Sequence, residues 1–127
     1  MPALQIYYVE DNDELRETIG LLLEADDRVV ESFATAEEAL AAFERQPCDV
    51  VITDVSLPTM SGVDLARAVL AKAPGTWVVL SSGYALTRGL ETLGDTVRSL
   101  PKPFEVEEMD SLLAEIAAAV AAGKPAA

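Results

Sequence analysis

The sequence has no histidine and only one cysteine, Cys48. Histidine-based catalysis and histidine metal sites are therefore excluded, and a single thiol cannot form an internal disulfide or a cysteine-cluster zinc site. Basic residues are also scarce, with 9 Lys and Arg against 22 Asp and Glu and a formal net charge of −13. Because binding to nucleic-acid phosphates needs clustered Lys and Arg, this charge argues against direct nucleic-acid binding.

Long apolar segments are missing as well. The first residues lack the basic start and long apolar stretch of a signal peptide, and the apolar run at residues 116–123 is far shorter than the ~20 residues of a membrane span. The chain has 127 residues, of which 50% are hydrophobic and 24% charged, which is typical of one folded domain. We therefore expect a soluble, cytoplasmic domain with no membrane segment.

Short β-rich segments alternate with helical patterns along the chain. Strands are predicted at residues 4–9, 28–33, 49–53, 77–80 and 97–100. Helices are predicted at residues 13–25, 63–73, 85–93 and 105–122. A further helix is predicted to begin at the capping box of Thr35 and Glu38 and to end before Pro47. Five strands alternating with five helices predict right-handed crossovers and a parallel sheet covered on both faces.

Two of these helices carry apolar residues at helical spacing. In the first, the spacing predicts that Leu15, Ile19, Leu22 and Leu23 face the core. In the last, Val106 and Met109 are interpreted as core residues, with a partner or dimer surface as the alternative.

Polar residues follow four of the predicted strands. They are Glu10 and Asp11 after the first strand, Asp54 after the third, Ser81 and Ser82 after the fourth, and Lys102 after the fifth. Open parallel sheets bind ligands beyond the carboxyl ends of their strands. Carboxylates held close together repel unless a cation offsets their charge, and Mg²⁺ suits a few carboxylates with retained waters.

This arrangement indicates phosphoryl transfer. Asp54 can attack phosphorus as a nucleophile and form an aspartyl phosphate. The reaction needs alignment and positive charge on the phosphoryl oxygens, which Mg²⁺ and Lys102 would supply, with a hydrogen bond from Ser82.

Each residue also has a purely structural interpretation. An aspartate at a strand end, such as Asp54, is commonly a turn or cap residue, and residues 10–13 would then be a solvated helix start with Asp13 as N-cap. Ser82 beside Gly83 would be an ordinary turn residue, and Lys102 an ordinary surface residue. Their occurrence together at four strand ends favours the functional interpretation.

Four motifs in order resemble the receiver domain of response regulators, the CheY-like family of two-component signalling. They are Val9-Glu10-Asp11-Asn12, VVITDVSLPTMSG at residues 50–62, Leu80-Ser81-Ser82-Gly83-Tyr84 and Leu100-Pro101-Lys102-Pro103-Phe104. The resemblance covers nearly the whole chain. It implies a flavodoxin-like α/β fold, a single doubly wound parallel sheet of order 2-1-3-4-5 with five helices, for residues 1–123, followed by a short tail at 124–127.

The resemblance also implies a role for each site residue. Asp54 would accept phosphate from a sensor histidine kinase or a histidine phosphotransfer protein. Asp11, Asp54 and the backbone carbonyl of Ser56 would bind Mg²⁺, with Glu10 acting through water. Lys102 would contact the phosphoryl group, and Ser82 would turn inward to bond it.

The implied output is a signal and not enzymatic turnover. The length leaves no room for a second domain, so the expected output is binding of a downstream protein or transfer of the phosphate onward. A weak homodimer is expected through the face formed by the fourth helix, the fifth strand and the last helix.

The sequence departs from the family pattern at three places. Glu10 replaces the commoner Asp, and Ser99 stands where relatives often carry the aromatic residue of the switch. The segment between Ser82 and Lys102 is short, which predicts a reduced or mobile fourth helix.

Three alternatives remain open at this point. A haloacid-dehalogenase-like phosphohydrolase also uses an aspartyl phosphate, but it needs a second acid where this chain has Ser56. A receiver-like module that signals without phosphate is the second alternative. The third is a receiver excised from a hybrid histidine kinase, although Met1 and the short tail favour a free-standing protein.

Overall fold

The structure, a computed structural model, contains the five predicted strands and four of the predicted helices. It describes residues 3–55, 57, 59–82, 96–101 and 105–122, with the backbone alone for Ser82 and Pro101. The strands are β1 (Leu4–Val9), β2 (Arg28–Phe33), β3 (Val50–Asp54), β4 (Trp77–Ser82) and β5 (Val97–Pro101). The helices in this part of the chain are α1 (Asp13–Leu23), α2 (Ala36–Arg45), α3 (Gly62–Lys72) and α4 (Val106–Ala121).

The strands form one parallel sheet in the order β2-β1-β3-β4-β5. This is the doubly wound order of the flavodoxin-like fold, so the predicted fold class is confirmed. The sheet extends from β1 to one side through β2 and to the other side through β3. The carboxyl ends of β1 and β3 therefore meet at the switch point of the topology, where such folds bind ligands.

Helices cover both faces of the sheet. On one face, α1 and α4 bury Leu23, Met109, Leu113 and Ile116 against Ile6, Tyr8 and Ile52. On the other face, α2 and α3 bury Phe43, Leu65 and Val69 against Tyr7, Val9 and Val51. Because β3 is buried on both faces, its apolar run is nearly continuous, as expected of a central parallel strand.

Helix α1 is less covered than its apolar pattern predicts. Leu23 is fully buried and Ile19 packs against the core, but Leu15 and Leu22 are exposed. The helix lies mainly over β2, the edge strand, so the sheet ends before it covers the whole apolar stripe. The prediction of four core residues is therefore wrong for two of them. The same holds for Val106 at the start of α4, which is exposed although Met109 is buried.

The predicted N-cap of α2 is confirmed. The Thr35 hydroxyl accepts a hydrogen bond from the backbone N–H of Glu38 at 3.1 Å. The Glu38 carboxylate accepts from the Thr35 hydroxyl itself at 3.3 Å, where the sequence predicts that it reaches the backbone.

Several predictions concern residues outside the described ranges. They are the helix at 85–93, the side chain of Ser82, the Ser56 carbonyl, Lys102 and the domain boundary at residues 123 and 124. Among the helices that the structure does describe, none is long and apolar enough to cross a membrane.

Candidate metal centre

Three carboxylates meet at the carboxyl ends of β1 and β3. One carboxylate oxygen from each of Glu10, Asp11 and Asp54 lies within 4.8 Å of the other two. The residues differ in exposure: Glu10 is buried, Asp54 is half-buried and Asp11 is exposed. The predicted convergence of the first and third strand ends is therefore present in the structure.

Glu10 is fixed by its backbone and its side chain. Its N–H donates to the carbonyl of Phe33 at 3.0 Å, which continues the β1–β2 ladder beyond Val9. Its carboxylate accepts from the backbone N–H of Asn12 at 3.1 Å. The residue is only 3% exposed, and a buried carboxylate is tolerated only where hydrogen bonds or cations compensate its charge.

The start of α1 holds this loop in place. Asn12 caps the helix by accepting from the N–H of Leu15 at 2.9 Å, so the N-cap is Asn12 and not Asp13. Arg16 donates to the backbone carbonyl of Glu10 at 2.9 Å and pairs with Asp13 at 2.6 Å. Arg16 is not among the residues predicted from the sequence to belong to the site, and its position one turn after the cap is the signal that could have identified it.

The backbone of Asp54 is enclosed from two sides. The N–H of Val55, the next residue, donates to the carbonyl of Ser81 on β4 at 3.0 Å, and the N–H of Gly62 donates to the carbonyl of Val55 at 2.9 Å. A Cβ added to Gly62 would collide with the carbonyl oxygen of Asp54 and lie 3.0 Å from the Cα of Val55. Glycine is therefore required here for the close approach of α3 to the end of β3.

The carboxylates act electrostatically on the core beneath them. Burial, followed by the negative charges of Glu10 and Asp54, raises the pKa of Tyr8. Tyr8 pairs with Ile52 on β3 and lies two residues before Glu10. Its side chain therefore lies on the same face of the sheet as the side chains of Glu10 and Asp54. Its phenol therefore stays neutral at physiological pH, and the charge of this region is set by the carboxylates.

The end of β4 lies beside this cluster. Ser81 is paired in register with Asp54, and Ser82 is paired with Pro101, the last residue of β5. Lys102 directly follows Pro101 in the sequence and lies outside the described residues. Ser99, at the position of the family's switch aromatic, is exposed on β5 and paired with Leu80.

The donor set of the cluster fits Mg²⁺. All three groups are carboxylates, the hard oxygen ligands that this ion prefers, and three ligands leave positions for water and substrate oxygen.

Comparison with known proteins gives consistent matches. A family model for the response regulator receiver domain matches residues 6–114. The chain is 29% identical over 109 residues to the C4-dicarboxylate transport transcriptional regulatory protein DctD of Rhizobium meliloti, covering 84% of this chain and 24% of that protein. It is 32% identical over 108 residues to the probable transcriptional regulatory protein TcrX of Mycobacterium tuberculosis, covering 82% and 45%.

Solved structures agree with these matches. The chemotaxis response regulator CheY4 of Vibrio cholerae superimposes with a TM-score of 0.80 at 25% identity, covering 90% of this chain and 98% of that chain. This chain therefore spans less than half the length of the two transcriptional regulators and nearly all of the chemotaxis protein.

Proposed function

Because this chain belongs to the response regulator receiver domain family, we propose that it accepts a phosphoryl group on Asp54 from a phosphohistidine and signals by binding another protein. The observation that carries the proposal is the meeting of Glu10, Asp11 and Asp54 at the switch point of the sheet.

Asp54 is the best placed of the three carboxylates to act as the acceptor. Glu10 is almost completely buried, which leaves little surface for an incoming phosphorus atom. Asp11 is exposed and follows β1 in a loop. Asp54 is half-buried at the end of a central strand, so it is open to solvent while its backbone is held by β4 and α3. A positioned nucleophile of this kind saves the entropy of orienting the reactants.

Glu10, Asp11 and Asp54 would hold Mg²⁺, together with the backbone carbonyl of Ser56. Bound there, the ion would neutralise the clustered carboxylates and the charge on the transferred phosphoryl oxygens. The Ser56 carbonyl is assigned from the motif match, as are the contact of Lys102 with the phosphoryl group and the inward hydrogen bond of Ser82.

The transfer itself needs one bond made and one bond broken. A carboxylate oxygen of Asp54 forms the new bond to phosphorus while the bond from phosphorus to the donor imidazole nitrogen breaks. The nitrogen keeps the electron pair of that bond, and the ring leaves as neutral imidazole with a proton on its other nitrogen. Asp54 attacks as a carboxylate, so it has no proton to give up. Lys102 would offset negative charge on the phosphoryl oxygens from the fifth strand end.

The partners follow from this chemistry. The donor is a sensor histidine kinase or a histidine phosphotransfer protein, and the acceptor of the signal is a downstream protein. A weak homodimer through the face that carries β5 and α4 is also part of the proposal, as is a cytoplasmic location. Receiver domains are signalling modules and not catalysts, so the phosphohydrolase alternative is set aside.

The test is incubation with acetyl phosphate and Mg²⁺, read by intact mass. The wild-type protein is expected to gain the mass of one phosphoryl group, and Asp54→Asn is expected to gain none. Asp64→Asn is the matched control, because Asp64 is an exposed carboxylate in the first turn of α3, outside the cluster.

Three results would contradict the proposal. Equal phosphorylation of the Asp54→Asn variant would assign the acceptor to another residue. Phosphorylation without added Mg²⁺ would remove the metal from the reaction. No mass gain, and no amide shifts with beryllofluoride, would favour a receiver-like module that signals without phosphate.

A further inference from the structure

Ser81 carries a buried hydroxyl that makes no hydrogen bond to any residue the structure describes. The residue is 5% exposed and lies on β4, next to the last residue of that strand. Buried hydroxyls are almost always paired, and an unpaired one costs the desolvation of its polar atom. The orphaned hydroxyl therefore needs an explanation.

The register places this hydroxyl beside Asp54. Ser81 and Asp54 are direct partners in the β3–β4 ladder, and such partners project from the same face of a sheet. The backbone fixes their separation, because the Ser81 carbonyl accepts from the N–H of Val55, the residue after Asp54. Ser81 is thus held next to the proposed acceptor on the face that carries Glu10.

A neighbouring hydroxyl shows what a structural role looks like here. Thr53 is fully buried one residue before Asp54, and its hydroxyl donates to the backbone carbonyl of Asp54 at 3.0 Å. That hydroxyl is paired in the unmodified protein and belongs to the fold. The Ser81 hydroxyl has no such partner among the described residues, although it is buried to a similar degree near the same end of the sheet.

We propose that the Ser81 hydroxyl is a donor reserved for the modified acceptor, and that it donates a hydrogen bond to an oxygen of the Asp54 side chain once this carries a phosphoryl group. The inference rests on the proposed function. Phosphorylation adds three strong acceptor oxygens to Asp54, so a buried donor that is unpaired before modification gains a charged partner afterwards. Hydrogen bonds to charged groups are the stronger ones.

Ser81 therefore acts together with Ser82, whose hydroxyl the family motif assigns to the phosphoryl group. The Ser81 hydroxyl makes the modified state more favourable relative to the unmodified one. The hydroxyl destabilises the resting protein and stabilises the phosphorylated one. A hydroxyl with a purely structural role would change the stability of both states in the same direction.

The test compares Ser81→Ala with the wild-type protein at saturating Mg²⁺, using beryllofluoride as the phosphoryl mimic. Affinity is measured by amide chemical-shift titration, and the melting temperature (Tm) is measured without beryllofluoride. Ser81→Ala is expected to raise the Tm of the unmodified protein by about 3 °C, because an unpaired buried hydroxyl is removed. It is expected to weaken beryllofluoride binding about tenfold, which corresponds to about 1.4 kcal/mol.

Thr53→Val is the matched control, since it removes a buried hydroxyl that is already paired. It is expected to lower the Tm and to change the beryllofluoride affinity less than threefold. Beryllofluoride affinity of Ser81→Ala within twofold of wild type would overturn the inference. So would a lowered Tm together with weakened binding, because that combination indicates a structural role. If the wild-type protein itself binds no beryllofluoride, the proposed function fails and the inference falls with it.

Discussion

Two aspartates stand at opposite ends of β3, Asp49 just before its first residue and Asp54 as its last. The Asp49 carboxylate accepts from the backbone N–H of Gln5 at 2.9 Å. Its N–H donates to the carbonyl of Gln5, and its carbonyl accepts from the N–H of Trp77, both at 3.0 Å. Asp49 therefore joins the starts of β1, β3 and β4.

The carboxylate at the other end of the strand has different surroundings. Asp54 lies within 4.8 Å of two further carboxylates, Glu10 and Asp11. Like charges at that distance work against folding unless a cation joins them. The comparison teaches that residue type alone does not separate the two aspartates. They differ in the end of the strand and in the neighbours there, since Asp49 meets a backbone N–H at the amino end and Asp54 meets two other acids at the carboxyl end.

The sharpest way to break this comparison is to remove each carboxylate in turn. Asp49→Ala is expected to lower the unfolding free energy by about 2 kcal/mol, because it removes a charged acceptor and leaves the N–H of Gln5 unpaired. Asp54→Ala, without divalent ions, is expected to change it by less than about 0.5 kcal/mol, because the relief of repulsion among three clustered charges offsets the loss of the contacts of a half-buried carboxylate. Urea denaturation followed by circular dichroism measures both.

The reverse order of these two effects would contradict the distinction between the aspartates. Phosphorylation by acetyl phosphate supplies the second readout, since Asp49→Ala is expected to keep it under conditions where the variant is folded.

A smaller effect is expected from the metal. A ligand that binds only the folded state stabilises it by about 1.4 kcal/mol at ten times its dissociation constant. Adding Mg²⁺ at that ratio is expected to raise the Tm of the wild-type protein, and removing it with a chelator is expected to reverse the gain. The gain is expected to persist in Asp49→Asn, with the carboxylate lost at the other end of the strand, and to disappear in Asp54→Asn. An equal gain in the two variants would place the ion elsewhere.

A gradual effect, small near neutral pH, is expected at the Asp49 end. Burial, together with the charge of Asp49, raises the pKa of the Cys48 thiol to about 12, against about 8.5 in an unfolded chain. The folded state therefore keeps its proton while the unfolded state loses it. The contribution of Cys48 to stability is complete below pH 8.5 and declines as the pH rises toward 12, by at most about 1.4 kcal/mol per pH unit.

Urea denaturation between pH 7.5 and 10 checks this decline. Cys48→Ala is expected to lose less unfolding free energy per pH unit than the wild-type protein over that range. Equal slopes, or rapid alkylation of Cys48 in the folded protein at pH 8.5, would show that the thiol is not held protonated.

Much of the fold could be predicted because its signals are local. The β-branched run of β3 and the Thr35 cap of α2 each identify an element without tertiary information. Alternation of strands and helices then predicts a parallel sheet, which brings Glu10 and Asp54 to one edge. The exposure of Leu15 and Leu22 could not be predicted, since it depends on where the sheet ends and not on the spacing within α1.

The site could be predicted only in part for a similar reason. Ser81 and Ser82 are the same residue type at the same strand end, and the preceding Val78, Val79 and Leu80 are all buried, so they give no alternation from which to assign a face. The pairing of Ser81 with Asp54 follows from the register of β3 and β4, which the sequence does not encode locally. The position of the loop at Glu10 likewise depends on a tertiary contact, the hydrogen bond that Arg16 on α1 donates to the Glu10 carbonyl.

The contact between Gly62 and the end of β3 has one more consequence. With no side chain on Gly62, the carbonyl of Asp54 and the start of α3 approach closely. The main chain of Asp54 therefore has no room to shift toward α3. We expect any displacement that the proposed modification causes at this residue to be directed away from α3.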